Sequence, residues 1–152
     1  MPNFKKPAVE ETDIGATAIL ISKSNKILLQ ERDDNPNIYN PGMIGMFGGT
    51  INKSETIESG LIRELKEEIG INIKDFRKSK LGVFYKTKEQ DGIDYKVNVF
   101  IIKNVPIKSL KITEGKLIVL RNEKTILENT KLSRITKLAL TKYFEEWPKS
   151  SF

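Results

Sequence analysis

Apolar positions along the chain switch between a period of two and a period near four, and each switch marks an element. Residues 14–22 (IGATAILIS) set Ile and Leu around small residues and read as a strand. Residues 23–26 interrupt it as a polar turn. Residues 27–30 resume as a second strand, which predicts a β-hairpin. Residues 33–45 (DDNPNIYNPGMIG) carry Asp, Asn, Pro and Gly and read as a loop. Residues 47–51 follow as a short extended piece. The period then changes: Ile57, Leu61, Leu65 and Ile69 recur every four residues and form one apolar helical stripe. Thr56 is placed to cap its start and Gly70 to end it in a left-handed conformation. Gly60 within it costs roughly 1 kcal/mol against Ala, which leaves close packing or plain tolerance open.

Two β-rich runs follow at 81–88 and 93–103, joined by the turn Glu89-Gln90-Asp91-Gly92. Tyr95, Val97, Val99 and Ile101 share one face of the second run. Lys96 and Asn98 share the other with apolar Phe100, so that strand is covered on both sides towards its end. Residues 116–120 read as a further strand. Residues 130–147 read as a closing amphipathic helix with Leu132, Ile135, Leu138, Ala139, Tyr143 and Trp147 as its apolar residues. No internal repeat or low-complexity tract is present. The predicted class is α/β of the α+β kind: a mixed sheet with helices packed on it, one domain over residues 1–152, with 1–12 as a loose lead-in.

Composition narrows the chemistry. A chain of 152 residues with 38% hydrophobic and 30% charged content suits one globular core. No apolar run is long enough to span a bilayer. The N-terminal residues lack a basic start followed by an apolar stretch, so no secretory signal is read and a cytoplasmic location is expected. There is no cysteine, which excludes disulfides, thiolate metal sites and a cysteine nucleophile. There is no histidine, so acid–base or metal chemistry falls to Asp, Glu, Lys or Tyr. The net charge is +6, yet five glutamates fall between Glu55 and Glu68. Acid is concentrated while base is spread along the chain. Such a surface favours a polyanion approaching an acidic, cation-filled centre; the same lysines also serve solubility alone.

That acidic stretch reads GGTINKSETIESGLIRELKEEIGI over residues 48–71. At about 100° per residue, Glu64, Glu67 and Glu68 fall within an arc of roughly 100°, about a quarter-turn from the apolar stripe. Three crowded carboxylates repel one another and call for a cation. A hard divalent metal that also accepts phosphate oxygens is the natural one. Arg63 precedes Glu67 by four residues and neighbours it on the helix surface, where a guanidinium can grip a carboxylate bidentately. Gly48 and Gly49 bring bare backbone near, and a glycine carbonyl is a further hard ligand. A solvated surface helix is the competing reading of these charges.

The full spacing runs Gly49, five residues, Glu55, seven residues, then Arg63-Glu64-Leu65-Lys66-Glu67-Glu68-Ile69-Gly70-Ile71. It resembles the complete signature box of the Nudix hydrolases, which cleave a nucleoside diphosphate linked to another group. The resemblance implies an α/β/α sandwich with a mixed central sheet. It implies Mg²⁺ or Mn²⁺ bound by Glu64, Glu67 and Glu68 with the Gly48 carbonyl assisting, and Glu64 helping to deprotonate the attacking water. Arg63 would orient the glutamates, and Glu55 would be structural or support a further metal. Family members often draw one more acid from a downstream loop; Glu114 is the candidate here, with an ordinary turn glutamate as the alternative.

Residues 28–32 and 42–49 also resemble the segments that precede the box in many relatives. Ile44 stands where many carry Trp, Phe47 where many carry Pro, and Lys53-Ser54 where Pro-Gly is usual. The first two departures leave the group attached to the diphosphate open. Candidate substrate contacts are Arg32 for a phosphate or base, Phe84, Tyr85 and Tyr95 for stacking, and Asn129 for a base edge. Each has a bland alternative: surface charge for Arg32, core packing for the aromatics, a helix cap for Asn129.

The expected function is metal-dependent hydrolysis of a diphosphate linkage in a nucleoside diphosphate derivative or nucleoside triphosphate. Removal of diphosphate from RNA 5′ ends and a nucleotide-binding sensor without turnover are the alternatives. The expected partner is a small nucleotide and not a membrane, with a homodimer left open.

Overall fold

The computed structural model describes residues 13–38 and 41–147; the expected lead-in at 1–12 lies outside them. Seven strands form one mixed sheet: β1 (Asp13–Ser22), β2 (Lys26–Glu31), β3 (Ile44–Gly45), β4 (Phe47–Thr50), β5 (Lys78–Lys86), β6 (Tyr95–Val105) and β7 (Lys116–Arg121). Helices α1 (Ile57–Ile69) and α3 (Arg134–Glu146) pack on it, and the single turn α2 (Lys88–Asp91) joins β5 to β6. No helix among the described residues is long and apolar enough to cross a membrane.

The predicted hairpin forms, with Leu20 opposite Leu28 and Ile21 opposite Ile27. Beyond these pairs the two strands splay. β4 fills the gap along β1, setting Thr17 against Gly48 and Ala16 against Gly49, while β3 fills it along β2. On its other edge β1 runs parallel to β6, and β5 closes that side antiparallel to β6. The splay matters for function, because it lays the double glycine of β4 beside the central strand.

Alternation along β1 sends Ala16, Ala18 and Leu20 to one core and Ile19 and Ile21 to the other. The first core takes the α1 stripe of Leu61, Leu65 and Ile69, all fully buried, together with Phe47. Each such side chain contributes about 1.5–3 kcal/mol by leaving water. The second core takes Ile135, Ala139, Leu140 and Tyr143 of α3. Covered on both sides, β6 is buried from Val97 to Ile102, as Phe100 indicated. The one polar residue in that run, Asn98, donates from Nδ2 to the Gly15 carbonyl at 3.1 Å.

Three expectations change. Residues 44–45 form a strand inside the predicted loop, because Ile44 and Gly45 find partners in Glu31 and Gln30. The turn at 89–92 is a helical turn capped by Thr87, with Gly92 in the left-handed conformation (φ 82°). The last helix starts at Arg134, not at 130. Residues 131–133 are held instead by Ile44, whose N–H donates to the Lys131 carbonyl and whose carbonyl accepts from the Ser133 N–H.

Candidate active site

Helix α1 carries the site, and its ends are set locally. Thr56 Oγ1 accepts from the Ser59 N–H while Ser59 Oγ accepts from the Thr56 N–H, a reciprocal capping box. At the other end Gly70 adopts φ 71° and returns its N–H to the Lys66 carbonyl. Gly60 is there for close packing: a Cβ on it would stand 2.3 Å from Ile51 Cδ1 and 3.1 Å from Glu55 Oε1. Loop 51–55 therefore lies tight under the helix and delivers Glu55 to it.

Glu55 is the main partner of Arg63, gripped bidentately along one edge of the guanidinium. Arg63 Nε donates to Glu55 Oε2 and Nη2 to Glu55 Oε1 at 3.0 Å. Nη1 donates once to Glu64 at 3.0 Å and once to Glu67 at 3.3 Å, and Nη2 also reaches the Thr50 carbonyl at 3.0 Å. The bidentate grip thus falls on Glu55 rather than on Glu67, the helix neighbour. Glu67 stays 60% exposed, whereas the Glu55 side chain is 16% exposed and further tied by the Asn52 N–H. Hydrogen bonding from Arg63, then from the Asn52 amide, holds the Glu55 carboxyl below its ordinary range. The Arg63 guanidinium is correspondingly harder to deprotonate, chiefly through Glu55.

The two glycines of β4 shape the space for the other acids. Gly48 sits at φ 140°, and a Cβ there would be 2.2 Å from the Ala16 carbonyl oxygen and 2.6 Å from Thr17 Cα. Only glycine fits. Its N–H donates to Glu68 Oε1 at 2.9 Å. A Cβ on Gly49 would fall 2.5 Å from the Glu64 carboxylate, so the bare backbone is the seat of that side chain. Burial raises the pKa of Glu64, against the Arg63 hydrogen bond. Burial likewise pushes Glu68 up to about 8; the Gly48 amide and Arg32 oppose it, and Glu64 and Glu114 add to it.

Glu114 joins this group through tertiary contacts. The carbonyls of the last turn of α1 are taken by the loop between β6 and β7: the Lys111 N–H donates to Ile69, the Thr113 N–H to Glu68 at 3.0 Å and Thr113 Oγ1 to Glu67 at 3.0 Å. Buried Gln30 donates from Nε2 to the Glu114 carbonyl at 3.0 Å. Pinned on both sides, Glu114 lies near enough for its charge to bear on Glu64 and Glu68. Among the described residues, no three acids converge as a ready ligand set. Arg63 hydrogen-bonds Glu64 and Glu67, and the Gly48 amide hydrogen-bonds Glu68.

The outlying candidates separate. Arg32 lines a cavity between β6 and the start of α3, together with Tyr95. Phe84 packs against the α3-side core, so its aromatic ring serves packing. Tyr85 is 60% exposed, and its carbonyl accepts from Arg134. Asn129 does not cap α3: its Oδ1 accepts from the Lys131 N–H in a local turn, and Ser133 is the cap. Lys86 lines the same cavity as Arg32 and was not singled out from the sequence, where nothing distinguishes it from the other lysines.

The weakened acidity of Glu68 makes stability depend on pH. Glu68 unfolded titrates near 4.5 and folded near 8, so the folded protein without cation holds a proton that the unfolded chain lacks. The stabilisation from this proton is full below about pH 4.5 and is lost as pH rises through 8, at up to about 1.4 kcal/mol per pH unit. The melting temperature of the metal-free protein, relative to Glu68→Gln, should therefore fall between pH 5 and pH 8. Parallel curves for the two proteins would contradict it.

A family model of the NUDIX domain matches residues 11–108. An ADP-ribose pyrophosphatase of Methanocaldococcus jannaschii is 37% identical over 86 residues, covering 57% of this chain and 47% of that protein. The chain spans about half the length of the curated relatives it matches, 47% and 46%. Among solved structures, a MutT protein from Methanosarcina mazei superposes with a TM-score of 0.72 at 22% identity, covering 91% of this chain and 99% of the other. A mutT/nudix family protein from Listeria innocua gives 0.70 at 23% identity, covering 88% and 92%.

Proposed function

The chain belongs to the Nudix family, and from that premise we propose that it hydrolyses a diphosphate linkage in a nucleoside diphosphate derivative or a nucleoside triphosphate, using Mg²⁺ or Mn²⁺. The observation that carries the reading is the acid surplus where α1 meets β4. Among the described residues, the guanidiniums of Arg63 and Arg32 are the cations that bear on Glu55, Glu64, Glu67 and Glu68, and Glu114 adds a further acid beside them. Burial leaves Glu68 short of positive charge, so a cation fits this seam, and its donors are all hard oxygens. Glu64, Glu67 and Glu68 would hold the ion, with the Gly48 carbonyl and Glu114 as further donors. When bound, the ion neutralises phosphate oxygens and makes water more acidic.

The chain's own residues do the rest. Arg63 fixes the directions of Glu64 and Glu67, so neither must be ordered as substrate arrives. Glu64, whose burial favours its protonated form, is suited to take the proton from the attacking water. No histidine competes for that role. Water attacks one phosphorus, the bridging P–O bond breaks, and the other phosphate leaves.

A panel of nucleotides and nucleotide sugars, ADP-ribose and nucleoside triphosphates included, tests the reading with Mg²⁺ or Mn²⁺ by released phosphate or pyrophosphate. Tight binding without any product would overturn it in favour of a sensor. Glu114→Gln is expected to weaken Mn²⁺ binding by roughly 10–100-fold, read by calorimetry; unchanged affinity would remove Glu114 from the donor set.

A further inference from the structure

Tyr95 opens β6, and its ring packs against the core on the α3 side of the sheet. From there the ring crosses the central strand. A Cβ on Gly15 would stand 2.3 Å from Tyr95 Oη and 2.7 Å from its Cζ, so the phenol fills the place that a side chain at 15 would take. Glycine inside a strand weakens it and marks a close approach, and here the approaching group is this ring. Gly15 lies directly opposite Thr50, the last residue of β4. The hydroxyl therefore arrives over the end of β4, where Tyr95 Oη and Thr50 Oγ1 share a hydrogen bond of 2.9 Å. One side chain thus ties β6 to β4 across β1. The ring is itself held on another side by Lys86, which ends β5 opposite Tyr95 and sets its ammonium 5.4 Å from the ring centroid.

Thr50 joins this brace to the acidic site. Its hydroxyl meets Tyr95, and its carbonyl accepts from Arg63 Nη2 at 3.0 Å. The other acceptors of Arg63 are carboxylates: Glu64 and Glu67 of its own helix, and Glu55 of the loop beneath it. The Thr50 carbonyl is the acceptor that fixes the guanidinium to the sheet rather than to another side chain. Thr50 is exposed and ends its strand, a place where backbone frays unless it is tied. Two bonds tie it: the Ile51 N–H donates to the Ile14 carbonyl at 2.8 Å, and the Thr50 hydroxyl meets the phenol.

We propose that Tyr95 is a positioning residue for the hydrolysis. Through Thr50 it holds the carbonyl that orients Arg63, and with Arg63 the directions of Glu64 and Glu67. It acts through its neighbours and touches no reacting atom. The inference rests on the hydrolase reading.

Tyr95→Phe keeps the ring and removes only the hydroxyl. It should lower kcat roughly 3–10-fold, the worth of one hydrogen bond, with KM unchanged. Tm should move by no more than about 4 °C. Thr50→Val should match it, and Thr50→Ser, which keeps a hydroxyl, should restore most of the rate. The double variant Tyr95→Phe/Thr50→Val should be no slower than either single one, because both remove the same bond. Additive losses overturn the proposal, and so does an effect confined to KM, which would make Tyr95 a substrate contact. A second measurement needs no turnover: exchange of the Arg63 Nε–H with water, its resonance identified by its loss in Arg63→Lys. Exchange should be roughly threefold faster or more in Tyr95→Phe and in Thr50→Val, and near wild type in Thr50→Ser. Unchanged exchange in the first two overturns the proposal even if kcat falls. Faster exchange in a protein that cleaves no compound of the panel sustains Tyr95 as the residue that positions Arg63 and removes the hydrolase reading alone.

Discussion

Glu67→Gln is expected to lower kcat/KM by roughly 10²-fold or more while leaving the fold unchanged. Of the three box glutamates on α1, Glu67 is the one that projects into solvent, 60% exposed, with a single 3.3 Å bond to Arg63. Its amide occupies the same volume, and the change should cost no more than about 0.5 kcal/mol, as exposed substitutions do. A direct donor should matter more than a supporting contact, whose loss costs ~10–100-fold. Steady-state kinetics and a melting curve on the same preparation decide the matter. A full-rate variant would remove Glu67 from the metal site. A rate loss accompanied by a large drop in Tm would point to folding instead.

Gly48→Ala should produce the largest loss of stability of any single methyl group added to the site. The backbone at φ 140° is closed to L side chains, at a cost of about 1–3 kcal/mol, before any clash is counted. The new Cβ then meets main-chain atoms of β1, 2.2 Å from the Ala16 oxygen, which no rotamer change can relieve. A total near 3 kcal/mol corresponds to a fall of roughly 6–12 °C in Tm for a chain of this size. Gly49→Ala is the control. Its Cβ meets the end of a flexible side chain, the Glu64 carboxylate at 2.5 Å, so Tm should hold while activity falls. Equal melting temperatures for the two variants would mean that Gly48 is not pressed against the central strand.

Which features were legible in the sequence follows from how local their causes are. Helix α1 could be read almost to the residue, because its stripe, its Thr56 cap and its Gly70 terminus act over three or four positions. The β1–β2 hairpin was legible for the same reason. Strand β3 was not, because two residues form a strand only when Glu31 and Gln30 are presented to them from elsewhere. The start of α3 was placed too early because nothing local shows that Ile44 claims residues 131–133. Asn129 was also offered as a helix cap, and that place goes to Ser133 while the Asn129 side chain closes a local turn.

The amino-acid sequence by itself determined the box: which acids share a helical face, where that helix is anchored, and that neither imidazole nor thiolate is available in a chain without histidine or cysteine. Tertiary structure decided the assignments that need distant segments to meet. It gave Arg63 to Glu55 from the loop below the helix, seated Glu64 on Gly49 and Glu68 on the Gly48 amide, and pinned Glu114 beside them through Thr113 and Gln30. It also singled out Lys86, by setting one lysine of a basic chain against the Tyr95 ring in a cavity shared with Arg32. The physical reason is reach. Helical spacing and capping act within a turn, whereas a carboxylate or ammonium acquires its partner, its burial and its proton affinity from whatever the folded sheet brings beside it.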